Sequence, residues 1–188
     1  MSAEKIILFD GTDLSKWTTR DKKEAKWPIS NGATTVTEGD IISKIEFGDA
    51  HIHVEFCEPE ETTGNSGVYV HGCYEIQILK THDVEKPSKN DCGAVYDMYA
   101  PLVNASLPPK EWQTYDIFFR APRFDGEKVV DYARMTMLHN NQLVHNNVIL
   151  GSVTPGGVIE TIVAQGPLML QDHGHDPVSF RNVWIKKL

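Results

Sequence analysis

An all-β fold, an antiparallel β-sandwich or jelly roll, is what this sequence predicts. Three observations point there: apolar and polar residues alternate in several short segments, turn-forming residues separate them (14 Gly and 10 Pro), and no long amphipathic helical window occurs. Residues 33–37 and 41–44 flank Glu38-Gly39-Asp40 and read as a hairpin. Residues 50–57 form the clearest strand, with Ile52, Val54 and Phe56 on one face and His51, His53 and Glu55 on the other. Gly64-Asn65-Ser66-Gly67 reads as a tight loop leading into a strand over 68–70. Alternation returns in 74–79, where Tyr74, Ile76 and Ile78 oppose Glu75 and Gln77. It returns again in 112–120, where Tyr115, Ile117 and Phe119 oppose Thr114, Asp116 and Arg120. Residues 132–138 and 143–145 flank His139-Asn140-Asn141-Gln142 as another hairpin, and 178–185 is the last strand. Two segments, 81–91 and 100–110, are long for sandwich loops, and long ordered loops often carry function.

At 188 residues the chain is sized for one domain, taken as residues 1–188, with no internal repeat or low-complexity linker. Hydrophobic residues at 40% and charged residues at 23% are ordinary globular values, which excludes disorder, collagen and coiled coil. The net charge of −8 opposes phosphate backbones and anionic lipid surfaces, so neither nucleic acid nor membrane is an expected partner. No apolar run approaches the roughly 20 residues of a membrane span and no signal-peptide pattern opens the chain, so the sequence as it stands reads as cytoplasmic. Removal of a leader would make it exported or periplasmic. Three cysteines, Cys57, Cys73 and Cys92, without a CxxC pair, argue against a disulfide framework and a structural zinc site.

The chemistry must then come from polar side chains on a sheet face. In 167–175, period two turns Leu168 and Leu170 inward and Gln171 and His173 outward. If that segment neighbours 74–79, then Glu75, Gln77, Gln171 and His173 converge on one surface. Carboxamides there suit sugar hydroxyls, which need donors and acceptors together, and His with Glu can move protons near neutral pH. Asn65 is free to join them. Among eight histidines, His173 and His175 beside Asp172 are the place where a metal ion is conceivable, but no HExxH, EF-hand or Cys-His spacing accompanies them, and no metal ligand or cofactor is assigned. A GxSxG nucleophile is lacking as well.

Six motifs in register carry a resemblance. They are Leu8-Phe9-Asp10-Gly11 with Leu14 and Trp17; Gly64-Asn65-Ser66-Gly67-Val68-Tyr69; Tyr74-Glu75-Ile76-Gln77-Ile78-Leu79; Glu111-Trp112-Gln113-Thr114-Tyr115; Gly166-Pro167-Leu168 with Leu170-Gln171-Asp172-His173-Gly174; and Phe180-Arg181-Asn182-Val183. Together they resemble the 3-keto-disaccharide hydrolase family. The resemblance implies a concanavalin A-like lectin/glucanase sandwich, a small carbohydrate as substrate, and action on 3-keto-glycosides. A ketone at C3 acidifies the C2 hydrogen, so a base can remove it while the glycosidic oxygen leaves C1; water adding to the enone completes net hydrolysis. On this implication either His173 or Glu75 is the base and the other the acid, with Asn65, Tyr69, Gln77, Gln171 and Asp172 as substrate partners. Arg181 would stabilise the enolate, although strand parity leaves its face open. Many members continue Gln-Ile-Leu into Asp where this chain has Lys80, with Asp83 three residues on. That departure keeps two further readings in view: a noncatalytic lectin-like module and a conventional β-glucanase, the latter lacking a second acid after Glu75.

Overall fold

The computed structural model describes residues 5–174 and 176–188. In chain order its strands are β1 (Lys5–Phe9), β2 (Trp17–Thr18), β3 (Ile29–Ser30), β4 (Ala33–Thr35), β5 (Ile41–Phe47), β6 (Ala50–Cys57), β7 (Ser66–Val70) and β8 (Tyr74–Ile78). There follow β9 (Trp112–Arg120), β10 (Arg123–Asp125), β11 (Lys128–Asp131), β12 (Ala133–His139), β13 (Gln142–Leu150), β14 (Gly166–Leu170) and β15 (Ser179–Lys187). Eight strands form one antiparallel sheet in the order β13-β12-β9-β6-β15-β4-β3, with β1 also paired to β15. Five form a second, β2-β5-β14-β7-β8, and β10-β11 is a small separate ribbon. The described residues contain no helix long and apolar enough to cross a membrane.

The two sheets are held face to face by the inward halves of their alternating strands. Ile52, Val54 and Phe56 of β6 and Tyr115, Ile117 and Phe119 of β9 share one core with Val68, Val70, Ile76, Leu168 and Leu170 of the second sheet. Rings bridge the layers, as where Tyr74 on β8 meets Phe119 on β9 at 5.9 Å between centroids. Burying each such side chain contributes about 1.5–3 kcal/mol, the main term holding the sandwich together. Asn140 and Asn141 reverse the chain between β12 and β13 with φ of 50° and 63°, the left-handed conformation a tight two-residue hairpin requires.

One expectation is corrected. Residues 33–37 and 41–44 do not pair as a hairpin: β4 lies between β3 and β15 in the large sheet, while β5 lies between β2 and β14 in the small one. The glycine turn at Gly39 (φ 70°) is a crossing between layers. Val36 and Ile41, on either side of the turn, each enter the shared core from their own layer, and a local turn signal does not encode which strand becomes the partner. Residues 151–165, between β13 and β14, fold over the outer face of the five-stranded sheet, where Val158 packs on Ile42, Tyr69 and Met169.

Candidate active site

On that outer face the register of β8, β7 and β14 sets side chains in rows. Tyr69 stands between Glu75 on one side and Met169 on the other. One step along, Gly67 lies opposite Gln77 and accepts a hydrogen bond at its carbonyl from the Gln171 amide, 3.0 Å. Gly67 has no side chain, so the row Gln77-Gly67-Gln171 leaves a hollow. The Glu75 carboxyl leans into it: a Cβ at position 67 would sit 2.7 Å from Glu75 Oε1 and 3.1 Å from its Cγ.

Residues 154–157 form a wall above this hollow. Thr154 Oγ1 accepts from the Glu75 backbone N–H at 2.9 Å and donates to the Cys73 carbonyl at 3.0 Å. The Tyr69 hydroxyl donates to Pro155 O at 2.9 Å and accepts from Gln171 Nε2 at 3.1 Å. Gly156, at φ 83°, passes so close that a Cβ there would meet the Tyr69 hydroxyl at 2.9 Å. Glycine is needed at 156 for its conformation and its clearance alike.

The result is a pocket of about 240 Å³ whose lining includes Asn65, Tyr69, Glu75, Gln77, Gln171 and His173. Tyr96, Pro155 and Gly156 complete it. Glu75 and Gln77 are each 4% exposed, so the face that alternation marks as polar is covered rather than solvated. Gln77 Oε1 and Gln171 Oε1 are buried and have no hydrogen-bond partner among the described residues. Buried acceptors without partners are uncommon in native folds and mark positions awaiting a donor.

Burial pushes the Glu75 carboxyl up to about 7, with the neighbouring Tyr69 hydroxyl pulling back only part of the rise. Tyr69 is in turn pushed up, first by burial and then by the Glu75 charge. Near pH 7 the Glu75 carboxyl therefore has comparable protonated and ionised populations, which fits a group that must both take and return a proton. His173 is exposed at the rim. Asn65 is set by its backbone, whose N–H donates to Asp176 Oδ2 at 2.8 Å, the same oxygen that receives the Thr63 hydroxyl at 2.6 Å.

Two sequence-predicted site residues lie elsewhere. Asp172 does not line the pocket: its Oδ2 accepts from the Gly39 N–H at 2.8 Å, and its own N–H donates to Asp40 Oδ1 at 2.8 Å, so it anchors the loop that bears His173. Arg181 belongs to β15 of the other sheet, bonded to Glu55 Oε2 at 2.5 Å and stacked over Trp112 at 4.0 Å, so it cannot reach an enolate in this pocket. Lys80 is directed to the carbonyls of Glu60 (2.7 Å) and Thr62 (2.5 Å), where it braces the loop ahead of Asn65. Asp83 lines a separate concavity between the two long loops. Among the described residues no three His, Cys, Asp or Glu side chains are gathered as a metal site, and His175 lies outside those residues.

Sequence reasoning missed Tyr96, Thr154, Pro155 and Gly156, all from irregular segments. The one available signal was the run Thr154-Pro155-Gly156-Gly157, a turn sequence too dense for a mere connector.

Comparison with known proteins adds the following. The 3-keto-alpha-glucoside-1,2-lyase-like domain matches residues 4–186. A candidate glycosyl hydrolase from Parabacteroides distasonis ATCC 8503 superposes with a TM-score of 0.90 at 34% identity, over 98% of this chain and 84% of that one. The carbohydrate-binding module CBM66 from Bacillus subtilis (TM-score 0.54, 14% identity, 92% of this chain and 96% of that one) shares the fold. So does the alginate lyase Aly36B (TM-score 0.55, 8% identity, 100% and 98%). No curated protein matches the chain.

Proposed function

The chain belongs to the 3-keto-alpha-glucoside-1,2-lyase-like family, and from that premise we propose that it cleaves 3-keto-glycosides by β-elimination in the Glu75 pocket. One observation carries the reading: a buried carboxyl poised at about 7 opens into a sugar-scale cavity beside two buried carboxamide oxygens that lack donors. In its ionised form Glu75 takes the C2 proton, made acidic by the C3 ketone. The electron pair moves toward the ketone oxygen, giving the enolate, and returns to form the C1–C2 double bond as the C1–O bond breaks. The departing oxygen takes a proton, with exposed His173 at the rim as its donor. Water then adds its hydroxyl to C1 and a proton returns to C2, restoring the 3-keto sugar as a free species. Gln77 and Gln171 accept hydrogen bonds from sugar hydroxyls, and Asn65 and Tyr96 flank the same ligand. A single carboxyl suffices for this chemistry, whereas ordinary glycosidases use two at set separations.

The test is incubation of the purified protein with a 3-keto-disaccharide and with its unoxidised parent, with and without chelator, following released monosaccharide. Release from the keto sugar alone is expected. Cleavage of the parent, or binding of either sugar without release, defeats the elimination reading in favour of a glucanase or a lectin.

A further inference from the structure

The wall over the Glu75 pocket is fastened at its ends and, separately, at its tip. The ends are pinned to the turn between β7 and β8: the Thr154 N–H donates to the Cys73 carbonyl at 2.8 Å, and those of Val158 and Ile159 donate to the Gly72 carbonyl at 2.9 and 3.1 Å. Between them Gly156 and Gly157 run too close to their neighbours to carry side chains, since a Cβ at 157 would fall 2.3 Å from the Gly72 carbonyl oxygen. Two adjacent glycines also give the tip the least restricted backbone of the wall.

That tip is held from outside. Arg20, in the loop after β2, donates from Nη2 to the Gly156 carbonyl at 2.5 Å and from Nη1 to the Gly157 carbonyl at 3.2 Å, while its Nε donates to Asp40 Oδ2 at 2.5 Å. Asp40 passes the connection on. Its Oδ1 accepts from the Asp172 N–H at 2.8 Å, and Asp172 Oδ2 accepts from the Gly39 N–H at 2.8 Å. Asp172 stands between Gln171 and His173, and both of those line the pocket, as does Gly156. One guanidinium, itself outside the pocket lining, therefore joins the 154–157 wall to the 171–173 segment. Its N–H groups diverge in one plane toward three acceptors, a geometry that an ammonium on a flexible stem does not reproduce.

We propose that Arg20 is a positioning residue for this site: through Gly156, and through Asp40 and Asp172, it clasps two sides of the pocket together and keeps water from the Glu75 carboxyl. The inference rests on the elimination reading of the pocket. Its consequence is more than a loss of stability, because a loosened wall changes the solvation of the base itself. Burial is the main cause that raises Glu75, so admitting water lowers it toward its ordinary value of 4.5. The titratable groups facing Glu75 are Tyr69 on β7 and, in the same pocket lining, Tyr96 and His173, while Arg20 and Asp40 act on Tyr69. Arg20→Lys leaves every one of these charges in place, so a shift in the pH profile reports solvation.

The experiment compares Arg20→Lys with the unaltered protein in two measurements, the pH profile of kcat/KM on a 3-keto-disaccharide and amide hydrogen exchange followed by mass spectrometry. The acid limb of the profile, which reports Glu75 in the free enzyme, is expected to move down by about one pH unit, with the plateau about tenfold lower. Exchange is expected to quicken about tenfold or more at Val158, Ile159 and Asp172 and to stay unchanged in β6 and β9. A lower plateau with an unmoved limb, or unchanged exchange in both segments, overturns the clasp while leaving the elimination reading in place. Absence of turnover by the unaltered protein overturns the elimination reading, and the exchange measurement then decides the clasp alone. Arg20 is on the surface, and an unchanged far-ultraviolet circular dichroism spectrum verifies the fold of the variant.

Discussion

The two outer faces of the sandwich start from the same sequence pattern and end in different chemistry. On β6, His51, His53 and Glu55 alternate with a buried apolar row; on β8, Glu75 and Gln77 do the same. On the large sheet every one of those polar groups is paired. His51 and His53 each contact Asp116 Oδ1 at 2.9 Å, and Glu55 receives Arg181 at 2.5 Å and Asn182 at 2.8 Å. On the small sheet the segment 151–165 covers the face without supplying donors for Gln77 Oε1 or Gln171 Oε1. The two glutamates record the difference. Burial pushes both upward, but bonds from Asn182 and Arg181 bring Glu55 below its ordinary value, while Glu75, with only the Tyr69 hydroxyl nearby to oppose the rise, stays at about 7. A polar strand face becomes a candidate site when something covers it and leaves its hydrogen bonds incomplete.

The sharpest way to break this contrast is to exchange the two carboxyls in turn. Glu75→Gln should lower kcat on a 3-keto-disaccharide by about 10²–10⁴-fold, the range for loss of a general base, with an unchanged circular dichroism spectrum. Glu55→Gln should leave kcat within about twofold. Comparable losses from both would mean that the faces are not functionally distinct. Gly67→Ala comes next: its Cβ would displace the Glu75 carboxyl, and a shift on the order of 1 Å is enough to lower kcat about 10²-fold. A variant as active as the parent would show that the carboxyl position is not critical.

A third test concerns a buried carboxyl that does not line the Glu75 pocket. Glu58 is also pushed to about 7 by burial, yet it is enclosed, with Cys92 Sγ at 3.6 Å and Gln113 Nε2 at 3.3 Å. Its folded value lies above its ordinary one of 4.5, so it favours the folded state fully below pH 4.5 and that contribution is lost as pH rises through about 7. In urea denaturation at stepped pH, the stability of Glu58→Gln relative to the parent should rise by about 1.4 kcal/mol per pH unit over that interval, levelling above pH 7. Activity should follow Glu75 and not Glu58, and a pH-independent stability difference would refute the assignment. The smallest effect belongs to Arg181→Ala. Losing a half-exposed ion pair and a ring contact should lower stability by about 1 kcal/mol and leave kcat unaltered; a tenfold fall in kcat would return Arg181 to the site.

Much of the sandwich was legible because burial on one face forces period two, and β6, β8, β9 and β12 obey it. The outward direction of Glu75 and Gln77 was legible by the same parity, but their meeting with Gln171 and His173 depended on strand order, which parity does not give: β7 stands between β8 and β14, and Gln171 and His173 follow the end of β14. The direction of Arg181 was not legible. β15 departs from regular register between Arg181 and Trp184, and Asn182 takes a φ of 46°, so counting residues along that strand gives no face. The wall of the pocket escaped for a different reason: Thr154, Pro155, Gly156 and Tyr96 lie in segments without periodicity, and their placement depends on what they cover. The connection over 36–40 was misread because a glycine turn specifies a change of direction and not a partner.

The position of β15 also governs how the molecule comes into being. Although near the end of the chain, it lies inside the large sheet, paired to β6, β4 and β1, and contacts such as Arg181 to Glu55 join residues 126 apart in sequence. That sheet cannot close until residues 179–187 have been synthesised. During translation β6 exposes an unpaired edge to the cell, and assembly proceeds through long-range closures, the slow regime of folding in which aggregation competes with the native pairing.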